Sequence, residues 1–147
     1  MSYRKHYYHI VFGTKHRKHT LPDAHCELLY KYIWGFVDNK KSKLYRINGS
    51  TDHIHLLLDI HPSIGVATFI QNMKVATSLW LKQQVEFRSF EGWAEGYASF
   101  TITHNDQNRI REYIINQKIH HKTVNFRDEY IALLKEHGIE FDESELD

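Results

Sequence analysis

The stretch 52-DHIHLLLDI-60 has the alternation of a β-strand, in which successive side chains point to opposite faces. One face of this predicted strand is a continuous apolar stripe of Ile54, Leu56, Leu58 and Ile60. The other face carries His53, His55, Leu57 and Asp59. The apolar stripe is suited to lie under helices in the main core. Both histidines are therefore predicted to leave that core together, toward whatever covers the other face.

The segments around this strand predict the fold class. Strands are predicted near 6–13, 43–50, 52–60 and 97–104, and helices near 22–39 and 65–84. The order strand, helix, strand, strand, helix, strand matches the ferredoxin-like split βαβ arrangement, an antiparallel sheet with two helices on one face. Two further helices are predicted near 107–121 and 127–137. The fold class is thus α+β, and the extra helices are expected on the opposite face or at an edge.

Composition bounds the remaining possibilities. A length of 147 residues with 41% hydrophobic residues predicts a single domain over 1–147 with a substantial core. No apolar run approaches the roughly 20 residues needed to span a membrane, and no secretory signal is visible. With a single cysteine, the default expectation is a cytoplasmic protein. The net charge of +1 is a weak argument for nucleic acid, but basic residues cluster at 15–19, and the acidic segment 139–147 is predicted to be a solvated tail.

The two strand histidines allow several interpretations. Their side-chain bases would lie roughly 6–7 Å apart, which lets two imidazoles share one divalent cation. A pair of hydrogen-bonded histidines between sheet and helix is the simpler alternative. Histidine-triad hydrolases are excluded because Leu57 stands where their third histidine would be. Barrel metallohydrolases need a far longer chain, and two-histidine phosphoesterases need a second motif that 101-TIT-103 with His104 does not supply.

A second informative segment is 113-YIINQKIHH-121. At helical spacing, Tyr113, Gln117 and His120 fall on one stripe, and isoleucines occupy nearly the opposite side. Such a helix could lie between its own sheet and a partner subunit. The alternative interpretation is a half-buried aromatic residue and a solvated glutamine.

Together, 52-DHIHLLL-58 and 113-YIINQ-117 resemble the signature of the single-tyrosine HUH transposases of small bacterial insertion sequences, in which two histidines flank a hydrophobic residue. The resemblance covers nearly the whole chain, from 8-YHIVFGTKHR-17 through 93-WAEGYASFTIT-103 to 126-FRDEYIALLKEHGI-139. The related repeat-associated tyrosine transposases share these motifs. Because the chain is short, the simple insertion-sequence type is favoured.

The resemblance implies a function and a set of site residues. His53, His55 and Gln117 would bind Mg²⁺ or Mn²⁺, and Tyr113 would attack single-stranded DNA to form a 5′-phosphotyrosine. Family members act as homodimers on hairpins at element ends, with an active site that the two subunits can share. Three basic residues are the expected phosphate contacts, namely Lys15, Arg17 and Lys18.

Two other functions stay open from sequence alone. One is a ferredoxin-like nucleic-acid-binding module without catalysis, in which exposed aromatic residues stack on bases. The other is a metal-dependent phosphoesterase that uses water in place of Tyr113. The roles of His120 and His121 are also open, because histidines at a helix end are often surface residues.

Overall fold

The computed structural model describes residues 2–146, so Met1 and Asp147, the two ends of the predicted domain, lie outside it. The four strands are β1 (Tyr8–Gly13), β2 (Lys43–Gly49), β3 (His53–Asp59) and β4 (Ala98–Thr101). The helices of the α type are α1 (Cys26–Asn39), α2 (Val66–Lys82), α3 (Gln107–Ile115), α4 (Gln117–His120) and α5 (Phe126–Glu136).

The strands form one antiparallel sheet in the order β2-β3-β1-β4. This order, with α1 and α2 as the two crossovers, is the ferredoxin-like arrangement that the sequence predicts, and the prediction is confirmed. The histidine strand β3 is central, with β1 and β2 on either side. In the register between β1 and β3, Val11 lies opposite His55 and His9 lies opposite Leu57.

The main core lies between one sheet face and the helices α1 and α2. The apolar stripe of β3 is buried there, with each of its four side chains no more than 3% exposed. Helix α1 contributes Leu29, Ile33 and Val37, and helix α2 contributes Phe69, Ile70 and Met73. The alternation in β3 therefore predicted correctly which side chains enter the core.

The opposite sheet face is covered by the helices that follow β4. A second apolar cluster joins Val11 and Leu57 of the sheet to Ile110 and Ile114 of α3 and to Phe126 and Leu133 of α5. The extra helices thus pack on the opposite face, as expected. His53 and His55 lie on this face and are fully buried, because helices and not solvent cover them.

The predicted helix 107–121 is wrong in one respect, since it divides at Asn116. The backbone there has φ −88° and ψ 10°, and α3 ends before it while α4 begins after it. The side chain of Asn48 in β2 donates a 3.0 Å hydrogen bond to the Ile115 carbonyl oxygen. Because this bond satisfies a carbonyl at the end of α3, the helix can end there and redirect the chain.

The acidic tail is also less solvated than expected. Phe141 and Leu146 are partly buried and pack against the second apolar cluster. A short 3-10 helix, Glu143–Glu145, lies between them, and Glu143 pairs with Arg127 at 3.6 Å. These apolar and charged contacts pack the segment against the helices of this sheet face.

Within residues 2–146, no helix combines the length and the apolar character needed to cross a membrane.

Two glycines give a matched test of the hairpin between β2 and β3. A Cβ added at Gly49 would clash with the carbonyl oxygen of His53 and lie 2.9 Å from Ile54 Cα, whereas one added at Gly35 in α1 meets nothing within 4 Å. We expect Gly49→Ala to lower the free energy of unfolding by about 1–3 kcal/mol. Gly35→Ala should raise it by roughly 0.5–1 kcal/mol because alanine favours helix. Urea denaturation of both variants checks this, and a Gly49→Ala variant as stable as the parent would contradict the register.

Candidate active site

The two strand histidines meet a buried carboxylate from α5. The Oε1 atom of Glu129 lies 3.2 Å from His53 Nε2, 3.1 Å from His55 Nε2 and 2.8 Å from His121 Nε2. Glu129 is only 3% exposed. A carboxylate out of contact with water needs strong hydrogen-bond partners, and these three imidazoles supply them.

The second oxygen of Glu129, Oε2, accepts hydrogen bonds from side chains of the predicted polar stripe of Tyr113, Gln117 and His120. The Tyr113 hydroxyl donates to Oε2, and the Gln117 side-chain amide donates to the same atom at 2.8 Å. The Gln117 carbonyl Oε1 lies 3.1 Å from His53 Nε2, so this glutamine touches both the carboxylate and a strand histidine. His120 Nε2 lies 3.5 Å from Oε2. The predicted stripe therefore converges on one point, although the helix divides within it.

The Nδ1 atoms of His53 and His55, which face away from Glu129, also have hydrogen-bond partners. Asp52 Oδ1 lies 2.7 Å from His53 Nδ1, and His9 Nε2 lies 2.9 Å from His55 Nδ1. The ring of Phe126 stacks on His53 with centroids 4.0 Å apart and planes 3° from parallel. These contacts fix the ring orientations, so that each Nε2 faces Glu129.

Burial and charge shift the pKa values of the cluster in different directions. Burial lowers the pKa of His55 to about 4, although Glu129 opposes the shift. Burial, together with neighbouring His55, holds the pKa of His9 well below its ordinary value. For His53, burial favours the neutral ring, but hydrogen bonds to Asp52 and Glu129 outweigh it and raise the pKa.

The pKa values of Glu129 and Tyr113 are also shifted. Burial alone would raise the pKa of Glu129, but hydrogen bonds from His121, His53 and His55 overcome it and hold that pKa well below its ordinary value. Burial raises the pKa of Tyr113, and the charge of Glu129 raises it further. The Tyr113 hydroxyl therefore keeps its proton in this arrangement.

The cluster has the composition of a metal site. One ligand atom from each of His53, His55, His121 and Glu129 can be chosen so that all four lie within 4.8 Å of one another. Donor atoms bound to one ion at about 2.0–2.2 Å are roughly 3–4.5 Å apart, so these atoms are close to the spacing that a divalent cation requires. The donors are mainly imidazole nitrogens with one carboxylate. The His/Glu cluster could thus bind a metal.

The predicted phosphate-binding residues lie in the loop after β1, around a short 3-10 helix, Lys15–Arg17. Lys15 and Lys18 are exposed, and Lys18 pairs with Glu91 at 2.9 Å. Arg17 lies with its guanidinium 5.0 Å from the centre of the Phe126 ring. Because Phe126 stacks on His53, this basic segment adjoins the cluster.

Three members of the cluster were not predicted. His9 could have been inferred from strand alternation, because it lies opposite Leu57 on the histidine face. Asp52 precedes β3, and alternation alone would have placed it on the other face. Glu129 follows Phe126 by three residues and precedes Leu133 by four, so it lies on the apolar stripe of α5. A carboxylate on a buried stripe is the signal that could have identified it.

The sequence comparisons identify the family. A profile described as "Transposase IS200 like" matches residues 2–117, well over half of the chain. The chain belongs to the IS200-like transposase family. A transposase for insertion sequence element IS200 from Salmonella typhimurium is 30% identical over 115 residues, covering 75% of each chain. The ISDra2 transposase TnpA of Deinococcus radiodurans is 23% identical over 115 residues, 75% of this chain and 82% of its own.

Solved structures show the same fold. A REP-associated tyrosine transposase bound to a REP hairpin superposes with a TM-score of 0.63 at 12% identity, covering 84% of this chain and 76% of its own. A Deinococcus radiodurans protein described as a transposase gives a TM-score of 0.58 at 24% identity, covering 80% and 95%. The part of this IS200-like chain matched by the family profile ends at Gln117, so His121 and Glu129 lie beyond it.

The pKa shifts predict an acid-sensitive fold. His9 and His55 titrate below the histidine value of about 6.5 in an unfolded chain, and Glu129 titrates below unfolded glutamate. The unfolded chain therefore takes up more protons as the pH falls, so these groups destabilise the fold on acidification. His53, with its raised pKa, acts in the opposite sense, and its contribution is lost as the pH rises above about 6.5.

His9, His55 and Glu129 destabilise the fold as the pH falls, and only His53 acts in the opposite sense. We therefore expect the free energy of unfolding to decrease from pH 7 to pH 4. Urea denaturation in the presence of EDTA measures this. A variant at an exposed histidine, His6→Gln, should follow the same curve as the parent. A free energy that stays constant or rises on acidification would contradict the buried, neutral state of His55.

Proposed function

We propose that this IS200-like chain cleaves and rejoins single-stranded DNA by transesterification, with Tyr113 as the nucleophile. The observation that supports this most is the contact of Tyr113 and Gln117 with the same carboxylate that faces His53 and His55. A phenol, two imidazoles and an amide meet in one buried cluster of a transposase chain. That set can bind a cation and attack a phosphodiester next to it.

The reaction exchanges one phosphoester for another. The Tyr113 oxygen forms a bond to phosphorus, and the bond from phosphorus to the 3′ oxygen of the preceding nucleotide breaks. The products are a 5′-phosphotyrosine and a free 3′-hydroxyl, so the proton that the phenol loses is balanced by the one that the departing oxygen gains. Because the phosphoester is conserved, a 3′-hydroxyl can reverse the step onto a new DNA end without a nucleotide cofactor.

His53, His55 and Gln117 are the proposed ligands of a divalent cation, Mg²⁺ or Mn²⁺. When bound, the cation supplies positive charge that polarises the scissile phosphate and favours ionisation of a nearby phenol. Asp52 and His9 orient the two imidazoles, and Glu129 holds the Tyr113 hydroxyl by a hydrogen bond. The helices over this sheet face exclude bulk water from the cluster.

DNA hairpins at the ends of the element are the proposed substrate. Support comes from the neighbour with a similar fold that was solved bound to a REP hairpin. The basic residues Lys15, Arg17 and Lys18 are the proposed phosphate contacts, because their loop adjoins the ring that stacks on His53. A homodimer is proposed as well, since Ile115 and Ile119 leave apolar surface exposed on the outer side of α3 and α4.

Removing the nucleophile tests the proposal directly. Incubation of the parent chain with Mn²⁺ and single-stranded DNA from the flanks of its own gene should give a covalent protein–DNA adduct that survives denaturing electrophoresis. Tyr113→Phe should reduce adduct and cleavage by at least about a thousandfold, because phenylalanine offers no oxygen to attack phosphorus. Tyr32→Phe is the matched control, since Tyr32 stacks on Trp80 in the other layer, and it should behave as the parent.

The same assay separates the alternatives. Cleavage by Tyr113→Phe would contradict the nucleophile assignment. Free products with no adduct from the parent chain would favour the water-dependent phosphoesterase. Binding without cleavage on every flank would favour the module without catalysis.

We further propose that Tyr113 acts with the histidines of its own chain, because one carboxylate joins all of them within a single chain. His55→Ala and Tyr113→Phe chains, co-expressed to form mixed assemblies, should then give no more adduct than either variant alone. In a dimer with exchanged tyrosines, mixed assemblies would recover about a quarter of the parental activity. Recovery of that size would contradict the arrangement.

A further inference from the structure

Glu129 and His121 offer two further donor atoms beside the strand histidines. We propose that His53, His55, His121 and Glu129 of one chain hold a divalent transition ion such as Mn²⁺ before DNA binds. This inference rests on the proposed function and replaces Gln117 by two ligands, His121 and Glu129, from the segment beyond the family match, which ends at Gln117. It also favours a transition ion over Mg²⁺.

The geometry places Glu129 at the centre of the cluster. Its Oε1 lies within 3.2 Å of the Nε2 atoms of His53, His55 and His121. The four donor atoms already lie within 4.8 Å of one another. A small movement of these side chains would therefore let all four bind one ion in place of their hydrogen bonds to each other.

Ligation requires His53 and His55 to lose the Nε2 protons that they donate to Glu129, and groups outside the cluster can accept a proton on the other side of each ring. For His53 and His55 to ligate through Nε2, each ring must carry its proton on Nδ1. Asp52 accepts from that position on His53, and His9 Nε2 can accept from it on His55. A carboxylate behind a ligating histidine also makes the imidazole a better donor.

Charge points to a cation as well. Ligation requires neutral imidazoles, and Asp52 and Glu129 then give this buried cluster two negative charges. Hydrogen bonds alone leave such charges costly away from water, and a divalent cation balances them. Three imidazoles with one carboxylate suit Mn²⁺, Co²⁺ or Zn²⁺ better than Mg²⁺, which prefers oxygen ligands and retains water.

Glu129 would then connect the ion to the nucleophile. Its Oε1 faces the imidazoles, while its Oε2 accepts hydrogen bonds from Tyr113 and Gln117. Ligation through Oε1 leaves Oε2 free to hold the phenol. The carboxylate is in this way both a ligand and a positioning residue for Tyr113.

The experiment measures Mn²⁺ binding to the full chain without DNA, by calorimetry and by the spin-resonance signal of free Mn²⁺. The parent chain should bind one Mn²⁺ per chain, more tightly than Mg²⁺. Glu129→Gln keeps the size of the side chain and removes its charge, so the affinity should fall at least about tenfold. Asp128→Asn removes the same charge from the exposed neighbouring position of α5 and should leave the affinity unchanged.

A second variant keeps the test decisive if Glu129→Gln does not fold, as judged by thermal melting. His121 immediately follows α4, and His121→Ala should also weaken Mn²⁺ binding at least about tenfold. With Co²⁺ as the probe, both variants should change the visible absorption spectrum, because the ligand set changes.

The outcomes separate this inference from the proposed function. Parental Mn²⁺ affinity in Glu129→Gln and His121→Ala would overturn the four-ligand site, as would a parent chain that binds no Mn²⁺ without DNA or prefers Mg²⁺. The proposed function survives each of these results if His55→Ala abolishes metal-dependent adduct formation on DNA. Failure of the adduct assay with parental Mn²⁺ binding intact would instead overturn the function alone.

Discussion

The need to satisfy a buried carboxylate organises this molecule. Both oxygens of Glu129 are removed from water, and each must accept strong hydrogen bonds if the fold is to tolerate the charge. The partners come from a sheet strand, from α3, from α4 and from the turn after α4. The carboxylate can be satisfied only when β3 and the C-terminal helices are in register with one another. The same interaction that ties these elements together brings a phenol next to two imidazoles.

The two faces of the sheet have separate tasks. One face carries the apolar stripe of β3 and the side chains of α1 and α2, and it supplies most of the core. The other face combines a smaller apolar cluster with the buried polar residues. Phe126 belongs to both parts, because it packs in the apolar cluster and stacks on His53. Stability of the second face and orientation of the site residues are therefore coupled through this ring.

Sequence reasoning predicted the fold and much of the site because both depend on local periodicity. Alternation in β3 assigned His53 and His55 to the face away from the core, and helical spacing placed Tyr113 and Gln117 on a common stripe. The break at Asn116 was not predicted, since the carbonyl that ends α3 is satisfied by Asn48, which lies 67 residues from Ile115 along the chain. Such long-range hydrogen bonds leave no local pattern.

Glu129 was missed for a related reason. A glutamate in a surface helix usually faces solvent, and its burial here depends on partners from β3 and from the segment after α3. His9 was not predicted because its role depends on the register between β1 and β3, which places it beside the histidine pair and leaves no mark within β1 itself. The family resemblance extends over 126–139, but it implied no ligand there, and the profile match itself ends at Gln117.

The central claim is that Tyr113 becomes covalently linked to DNA, and peptide mapping of the adduct tests it most directly. After nuclease trimming, trypsin should release residues 112–118, EYIINQK, with a single tyrosine. The account predicts that this peptide carries the mass of a 5′-linked nucleotide, and that fragmentation places it on Tyr113. A nucleotide on any other tyrosine-containing peptide, or an unmodified 112–118 peptide in purified adduct, would contradict it.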